Sequence, residues 1–203
     1  MKIGNPEKRD TALSHSQPSS NSVGAQKPLA FLMVCLGNIC RSPLAEGILQ
    51  HKAQAEGLSW QVDSAGTNGF HTGQAPHPLS QKVARLHGID ISKQRARRFT
   101  AADFQHYDKI YAMAGDVIHE IRRIAGRQFD PSKVQLLLDE LYPGQERDVP
   151  DPYYGAEPGY HEVYNMIDDA ADKIISKYGT RRSTEIPAAN NKSAASEKPV
   201  PRN

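Results

Sequence analysis

The chain has 203 residues, a length that favours one domain over two. Hydrophobic residues make up 38% of it, the formal net charge is +2, and the mean hydropathy is −0.62. The near-neutral charge argues against a broadly basic nucleic-acid surface, and the apolar runs are all too short to cross a bilayer.

The two ends of the chain differ from its centre. Residues 1–28 and 180–203 contain nine of the 25 Lys and Arg residues but four of the 23 Asp and Glu residues, so residues 29–179 carry a net charge of −3. Both ends have few large apolar side chains and cannot offset the entropy lost on ordering. We therefore expect a disordered N-terminal tail at 1–28, one domain at 29–179 and a disordered C-terminal tail at 180–203.

Apolar runs with strand character alternate with helical patterns along the centre of the chain. In chain order we predict strand Ala30–Val34, helix Pro43–Glu56, strand Gln61–Ser64, helix Leu79–His87, a short helix Ala101–Gln105, strand Lys109–Met113, helix Gly115–Ala125, strand Val134–Leu138 and a helix from about Gly159 to Tyr178. The alternation predicts a single-domain α/β fold: a doubly wound, four-stranded parallel sheet of order 2-1-3-4 with helices on both faces. Ligands bind such sheets beyond the carboxyl ends of the strands, which directs attention to the turn after the first strand.

That turn carries a pattern suited to phosphate chemistry. It reads Cys35-Leu36-Gly37-Asn38-Ile39-Cys40-Arg41-Ser42-Pro43. Five residues between Cys35 and Arg41 can wrap a loop whose backbone N–H groups converge on one point, and the following helix adds its N-terminal N–H groups. Arg41 can hold two oxygens of a bound dianion, while the positive field stabilises a nucleophilic thiolate at Cys35. A lone buried cysteine is more often a packing residue, but the spacing and the Ser42-Pro43 helix start favour the chemical interpretation.

The stretch VCLGNICRSPLAEG resembles the signature loop of the low-molecular-weight protein tyrosine phosphatases. The resemblance covers about Phe31 to Lys177 and continues through Asp63-Ser64-Ala65-Gly66-Thr67, Gly88-Ile89-Asp90 and Asp151-Pro152-Tyr153-Tyr154. It implies hydrolysis of phosphotyrosine and aryl phosphates through a cysteinyl-phosphate, without metal or cofactor. Cys35 would be the nucleophile, Arg41 would hold the phosphate, and Asp151 would act as general acid and then as base. By itself an Asp-Pro pair is more often a turn, so the role of Asp151 depends on the resemblance.

The resemblance also implies roles for neighbouring residues. The phosphate-binding loop would comprise Leu36, Gly37, Asn38, Ile39, Cys40 and Ser42. Asn38 and Ser42 would shape the loop, with the Ser42 hydroxyl hydrogen-bonded to the Cys35 sulfur. Tyr153 and Tyr154 would line the cleft beside an aromatic phosphoester, and they are candidate phosphorylation sites. Cys40 would trap oxidised Cys35 as a reversible disulfide; the alternative is that Cys40 only fills the loop.

Two segments depart from the family pattern. Ala75-Pro76-His77-Pro78-Leu79 stands where the family has Asp-x-Arg, and Met113-Ala114-Gly115-Asp116-Val117 stands where it has Met-Asp-x-x-Asn. These departures leave the rigidity of the loop and access to the cleft undetermined. Residues His71, His77, His87, His106, His119 and His161 show no metal-ligand spacing and are expected at the surface or in packing.

Several alternatives share the fold or the loop. A thioredoxin-coupled arsenate reductase would need cysteines after Cys40, and the chain has none there. A phosphoarginine phosphatase would have Thr in place of Ile39, and a phosphocysteine carrier of a sugar transport system would not need Asp151. A phosphopeptide- or anion-binding module without turnover stays open, although Cys35, Arg41 and Asp151, whose loss would indicate such a module, are all present.

The expected partner is a tyrosine-phosphorylated protein, with no nucleic acid and no membrane, and the expected state is a monomer. Two cysteines spaced i, i+5 make neither a disulfide framework nor a zinc site, and no signal-peptide pattern is present. The cytoplasm is therefore the expected compartment.

Overall fold

The computed structural model describes residues 27–179. The strands are β1 (Ala30–Cys35), β2 (Gln61–Gly66), β3 (Lys109–Ala112) and β4 (Val134–Leu136). The helices are α1 (Arg41–Ala55), α2 (Pro78–Leu86), α3 (Asp103–His106), α4 (Gly115–Ala125) and α5 (Glu157–Gly179), with 3₁₀ helices at Gly126–Gln128 and Leu137–Glu140. All strand pairings are parallel and the order is β2-β1-β3-β4, which confirms the predicted sheet.

The predicted tails fall almost entirely outside the described residues, so their disorder stays a prediction. Within residues 27–179, no helix is both long enough and apolar enough to cross a membrane.

Strand β1 lies at the centre of the molecule because every side chain in it can be buried. Its sequence AFLMVC is apolar throughout, and all six residues are buried. Alternate side chains of a strand point to opposite faces, so Phe31 and Met33 enter one core layer while Leu32 and Val34 enter the other. The strand therefore holds both layers together and delivers Cys35 to the carboxyl edge of the sheet.

The two core layers lie on opposite faces of the sheet. One is formed with α1, α2 and α5, and there the Phe31 ring packs 4.8 Å from Trp60 and 5.6 Å from Tyr178. The other is formed with α3 and α4, through residues such as Phe104 and Val117. Helices thus cover both faces, as the alternating pattern predicts, and Trp60 is a core anchor at the start of β2.

Some predicted boundaries are wrong. Strand β4 ends at Leu136 and not at Leu138, because the buried residues Leu137 and Leu138 begin a 3₁₀ helix. An apolar run of this length predicts burial but does not distinguish a strand from a buried turn. The short helix spans Asp103–His106, not Ala101–Gln105. Helix α1 begins at Arg41, which places Pro43 within the first turn, where its missing N–H costs no hydrogen bond.

Candidate active site

The loop after β1 curls around the sulfur of Cys35. The Asn38 N–H donates to Cys35 Sγ at 3.2 Å, and Ser42 Oγ lies 3.0 Å from the same sulfur. Asn38 has φ 56°, in the left-handed region that asparagine tolerates better than most residues. This turn bends the loop back towards the N-terminus of α1, whose free N–H groups attract an anion.

The end of β2 runs so close to the loop that only glycine fits there. A Cβ on Gly66 would lie 2.9 Å from the Leu36 carbonyl oxygen and 3.0 Å from the carbonyl carbon of Gly37. The Asn68 N–H donates to the Leu36 carbonyl at 2.9 Å, which extends the contact beyond the strand. The segment after β2 is therefore held beside the loop.

The amide of Asn38 supports the loop from behind. Its Nδ2 donates to Ser42 Oγ at 2.9 Å and to Ser64 Oγ at 2.8 Å, while its Oδ1 accepts from the Arg97 N–H at 2.9 Å. Both hydrogens and the oxygen of this buried amide are therefore paired, which fixes the side chain in one orientation.

Arg97 supplies an ion-pair network behind the loop that was not predicted. Its guanidinium contacts Asp63 at 2.9 Å and Asp103 at 3.1 Å, and the Tyr107 hydroxyl donates to Asp63 at 2.6 Å. The family's Asp-x-Arg charges are missing at residues 75–79, but a charged network reaches the loop through the segment that carries Arg97.

Arg41 and Asp151 meet at the mouth of the loop. Arg41 Nη2 lies 2.7 Å from Asp151 Oδ2, and Arg41 Nη1 donates to the Val149 carbonyl at 3.2 Å. The Val149 N–H in turn donates to the Met113 carbonyl, just after β3, at 2.8 Å. The Arg41 side chain is 7% exposed and that of Asp151 is 44% exposed, so Asp151 lies where the site opens to solvent.

A cavity of about 270 Å³ brings most of the predicted residues together. It is lined by Cys35, Leu36, Gly37, Ile39, Cys40, Arg41, Asn68, Phe70, His71, Asp151, Tyr153 and Tyr154. Asn38 and Ser42 are buried behind the loop. Three residues of the lining, Asn68, Phe70 and His71, were not predicted from the sequence. They follow β2, the neighbour of β1, and the order 2-1-3-4 could have indicated this position.

The rim of the cavity is aromatic. Phe70 is 85% exposed and Tyr154 is 98% exposed, while Tyr153 packs 4.8 Å from Tyr154 and 6.1 Å from the His71 ring. These rings come from the loop after β2 and from the loop that carries Asp151. They form walls suited to a flat aromatic group.

Cys40 lines the same cavity but differs chemically from an exposed thiol. Burial raises the pKa of the Cys40 thiol to about 12. The Tyr160 hydroxyl, 3.8 Å from the Cys40 sulfur, lowers this pKa, but its effect is weaker than that of burial. Cys40 is therefore protonated at neutral pH, and both cysteines are free thiols.

His77 occupies the altered segment and caps helix α2. Its Nδ1 accepts from the Leu79 N–H at 3.3 Å, and its ring stacks 5.2 Å from Tyr160 and lies 5.9 Å from Tyr153. Burial lowers the pKa of His77. In the part of the chain between residues 27 and 179, no three His, Cys, Asp or Glu side chains are grouped as metal ligands.

Several known proteins are similar to this chain in sequence. Residues 30–184 match the family model described as low molecular weight phosphotyrosine protein phosphatase. The chain is 37% identical over 147 residues to a low molecular weight protein-tyrosine-phosphatase of Streptomyces coelicolor, covering 70% of this chain and 89% of that protein. It is 37% identical over 150 residues to the phosphatase YfkJ of Bacillus subtilis, covering 73% of this chain and 94% of the relative.

Solved structures of protein tyrosine phosphatases are also similar to this chain. The crystal structure of YfkJ from Bacillus subtilis matches with a TM-score of 0.71 and 34% identity, covering 80% of this chain and 100% of that chain. A protein tyrosine phosphatase from Entamoeba histolytica, solved with Hepes in its active site, matches with a TM-score of 0.69 and 34% identity, over 76% of this chain and 99% of that chain.

Proposed function

The chain belongs to the low-molecular-weight protein-tyrosine-phosphatase family, and on this premise we propose that Cys35, Arg41 and Asp151 carry out its hydrolysis of phosphotyrosine. The loop from Leu36 to Ser42 would bind the phosphoryl group through backbone N–H groups. Arg41 would hold two of its oxygens.

In the first step the Cys35 thiolate attacks phosphorus as the bond to the phenolic oxygen breaks. Asp151, protonated, donates its proton to the leaving phenolate, so tyrosine departs neutral and a cysteinyl-phosphate forms. Ser42 Oγ, 3.0 Å from the sulfur, donates a hydrogen bond to the thiolate before attack.

In the second step Asp151, now a carboxylate, accepts a proton from water as that water attacks phosphorus. The S–P bond breaks, inorganic phosphate leaves, and Cys35 is again a thiolate. The exposure of Asp151 at the mouth of the cavity allows it to meet both the leaving group and the water.

A single observation carries this proposal. Cys35 and Arg41 both line a cavity of about 270 Å³, and the Asp151 carboxylate lies 2.7 Å from Arg41 at its mouth. The nucleophile, the anion-binding group and the proton donor therefore face one volume. Because its walls are aromatic, we propose that the substrate is a tyrosine-phosphorylated protein and that Tyr153 and Tyr154 flank the phosphorylated ring.

The experiment is hydrolysis of p-nitrophenyl phosphate without added metal by the wild type, Cys35→Ser and Glu120→Gln. Glu120 does not line the cavity; it forms an exposed pair with Arg123 on α4 and serves as the control. We expect Cys35→Ser to lose at least about 10⁴-fold in kcat, since the covalent step has no nucleophile. Absence of turnover by the wild type, with phosphopeptide binding retained, would support the binding-module alternative instead.

A further inference from the structure

A series of hydrogen bonds links the half-buried carboxylate of Glu46 on α1 to the sulfur of Cys35. Ser64 Oγ donates to Glu46 Oε2 at 2.6 Å, and the same Oγ accepts from Asn38 Nδ2 at 2.8 Å. The second hydrogen of Asn38 Nδ2 reaches Ser42 Oγ at 2.9 Å, and Ser42 Oγ lies 3.0 Å from Cys35 Sγ. Glu46 itself does not line the active-site cavity, and its hydrogen bond is to Ser64 and not to the sulfur.

The direction of these hydrogen bonds follows from which side-chain atoms can donate a hydrogen and which can only accept one. A carboxylate only accepts, so an ionised Glu46 requires the Ser64 hydroxyl to donate to it. The lone pairs of Ser64 then accept from Asn38. Because Asn38 also donates to Ser42, the Ser42 proton is free to point at the Cys35 sulfur, with the Ala65 carbonyl at 3.5 Å as a weaker acceptor.

We propose that Glu46 is a positioning residue for the phosphate-binding loop: its carboxylate is the terminal acceptor that fixes the direction of the hydrogen bonds running through Ser64, Asn38 and Ser42 to Cys35. The inference rests on the proposed role of Cys35 as nucleophile. When Glu46 is protonated it can donate to Ser64 Oγ, and Ser64 then loses the acceptor for its own hydroxyl. The orientation of Asn38 is then less strongly fixed.

The surroundings of Glu46 place the ionisation of its carboxyl group in an experimentally accessible pH range. Burial raises the pKa of Glu46 to about 7; Asp63 on β2 also raises it, while Ser64, Arg97 and the Gln94 amide oppose the shift. On its other side Glu46 lines a second cavity of about 300 Å³, whose lining also includes the titratable residues His51 and Asp90. The ion pairs of Arg97 are with Asp63 and Asp103, so Glu46 has no ion-pair partner among residues 27–179.

The test compares kcat/KM for p-nitrophenyl phosphate across pH in the wild type, Glu46→Gln, Ser64→Ala and the double variant. Gln retains the shape and the acceptor oxygen but cannot ionise. We expect the ratio of wild type to Glu46→Gln to rise about fivefold between about pH 5 and about pH 8.5, as a charge-assisted hydrogen bond replaces a neutral one. In the Ser64→Ala background, the Glu46→Gln substitution should leave the pH profile unchanged.

Two controls separate this role from others. Glu120→Gln, on the exposed face of α4, should give a ratio to wild type that is constant across pH. The free energy of unfolding reports Glu46 ionisation without any turnover. Because the folded pKa is the higher one, wild type should lose stability relative to Glu46→Gln as pH rises from about 4.5 to about 7.

Three results would overturn the proposal. A constant ratio in an active enzyme would show that Glu46 has only a structural role. A ratio that falls with rising pH would show that repulsion between the carboxylate and the substrate dianion dominates. A pH-dependent ratio that persists in the Ser64→Ala background would show that Glu46 does not act through the hydrogen bonds. A wild type without any turnover would instead contradict the proposed function, and the unfolding measurement would still report Glu46.

Discussion

Arg41 and Asp151 are 110 positions apart in the chain, yet the guanidinium Nη2 donates to the carboxylate Oδ2 at 2.7 Å. The group proposed to bind phosphate is therefore paired with the group proposed to donate the proton. A phosphoryl dianion that binds Arg41 competes with the carboxylate for the same N–H groups. Substrate binding would therefore release the Asp151 side chain from this pair and leave it free to meet the leaving phenolic oxygen.

The substitution Asp151→Ala tests this relationship. With phenyl phosphate we expect kcat to fall about 10²- to 10³-fold, because the phenolate leaves without a proton. With p-nitrophenyl phosphate the loss should be several times smaller, because nitrophenolate is the better leaving group. Inorganic phosphate should inhibit the variant more strongly than the wild type, since Arg41 has lost its competing partner. Steady-state kinetics with both substrates measure all three, and equal losses on both would contradict the acid role of Asp151.

The predicted redox role of Cys40 leads to a second experiment. Peroxide would convert Cys35 to the sulfenic acid, and attack by the Cys40 thiolate would form the disulfide and release the oxygen as water. Because burial raises the pKa of Cys40 to about 12, its thiolate fraction at neutral pH is small and rises about tenfold per pH unit. We expect disulfide formation, followed by mass spectrometry after rapid alkylation, to accelerate as pH rises from about 6 to about 9.

The variant Cys40→Ser provides the comparison. Without a resolving thiol, oxidised Cys35 should proceed to the sulfinic acid, and dithiothreitol should restore less activity than in the wild type. Equal recovery in both proteins would indicate that Cys40 only fills the loop. A rate of disulfide formation independent of pH would show that Cys40 is not the attacking group.

The ion pairs of Arg97 give a third prediction, on stability. Arg97→Leu removes the shared partner of Asp63 and Asp103 and leaves two carboxylates close together. The Arg97 side chain is 32% exposed, so solvent already weakens its ion pairs. We therefore expect Arg97→Leu to lower the free energy of unfolding by about 1–3 kcal/mol. Urea unfolding measures this. Arg123→Leu, which breaks an exposed pair with Glu120, should leave the urea midpoint of unfolding nearly unchanged, because solvent screens that pair.

The sequence alone predicts the site where its parts are contiguous. Cys35, Arg41 and the start of α1 lie within one short segment after a buried strand, so spacing and helix geometry determine their relation. The position of Asp151 depends on the family resemblance, because its distance from Arg41 is set by how the segment after β4 packs against the end of β3. This packing between distant segments cannot be predicted from a local sequence pattern.

Arg97 shows what the sequence could not indicate. It lies in the run Arg95-Ala96-Arg97-Arg98, whose three arginines look equivalent. Only Arg97 faces Asp63 and Asp103, while Arg95 bonds to backbone carbonyls near its own position. The difference arises from the direction in which the segment passes β2, as fixed by the Phe99 N–H and the Gly66 carbonyl at 2.7 Å. Likewise, β4 was predicted too long because Leu137 and Leu138 are buried in either conformation.

The cap of helix α2 gives the fourth prediction, on pH and stability. His77 Nδ1 accepts from the Leu79 N–H, which only the neutral ring can do, and burial lowers the pKa of His77 below its ordinary 6.5. At residue 77 the unfolded chain therefore binds a proton more readily than the folded one. The stabilisation by the neutral His77 cap is fully present above about pH 6.5, and it is lost as pH decreases through and below that value. His77→Asn keeps an uncharged cap, and its free energy of unfolding should lack this decline. At about pH 8, His77→Ala should be less stable than the wild type by about 1 kcal/mol, the usual value of an N-terminal cap.

His106→Asn, at an exposed residue of α3, is the matched control and should decline with falling pH as the wild type does. Chemical denaturation at about pH 5 and about pH 8 measures all four proteins under the linkage relation. If the free energies of unfolding of the wild type and His77→Asn fell equally with decreasing pH, the cap would not depend on the neutral ring. The stacked contact of His77 with Tyr160, at 5.2 Å, would then be what holds the His77 ring in place.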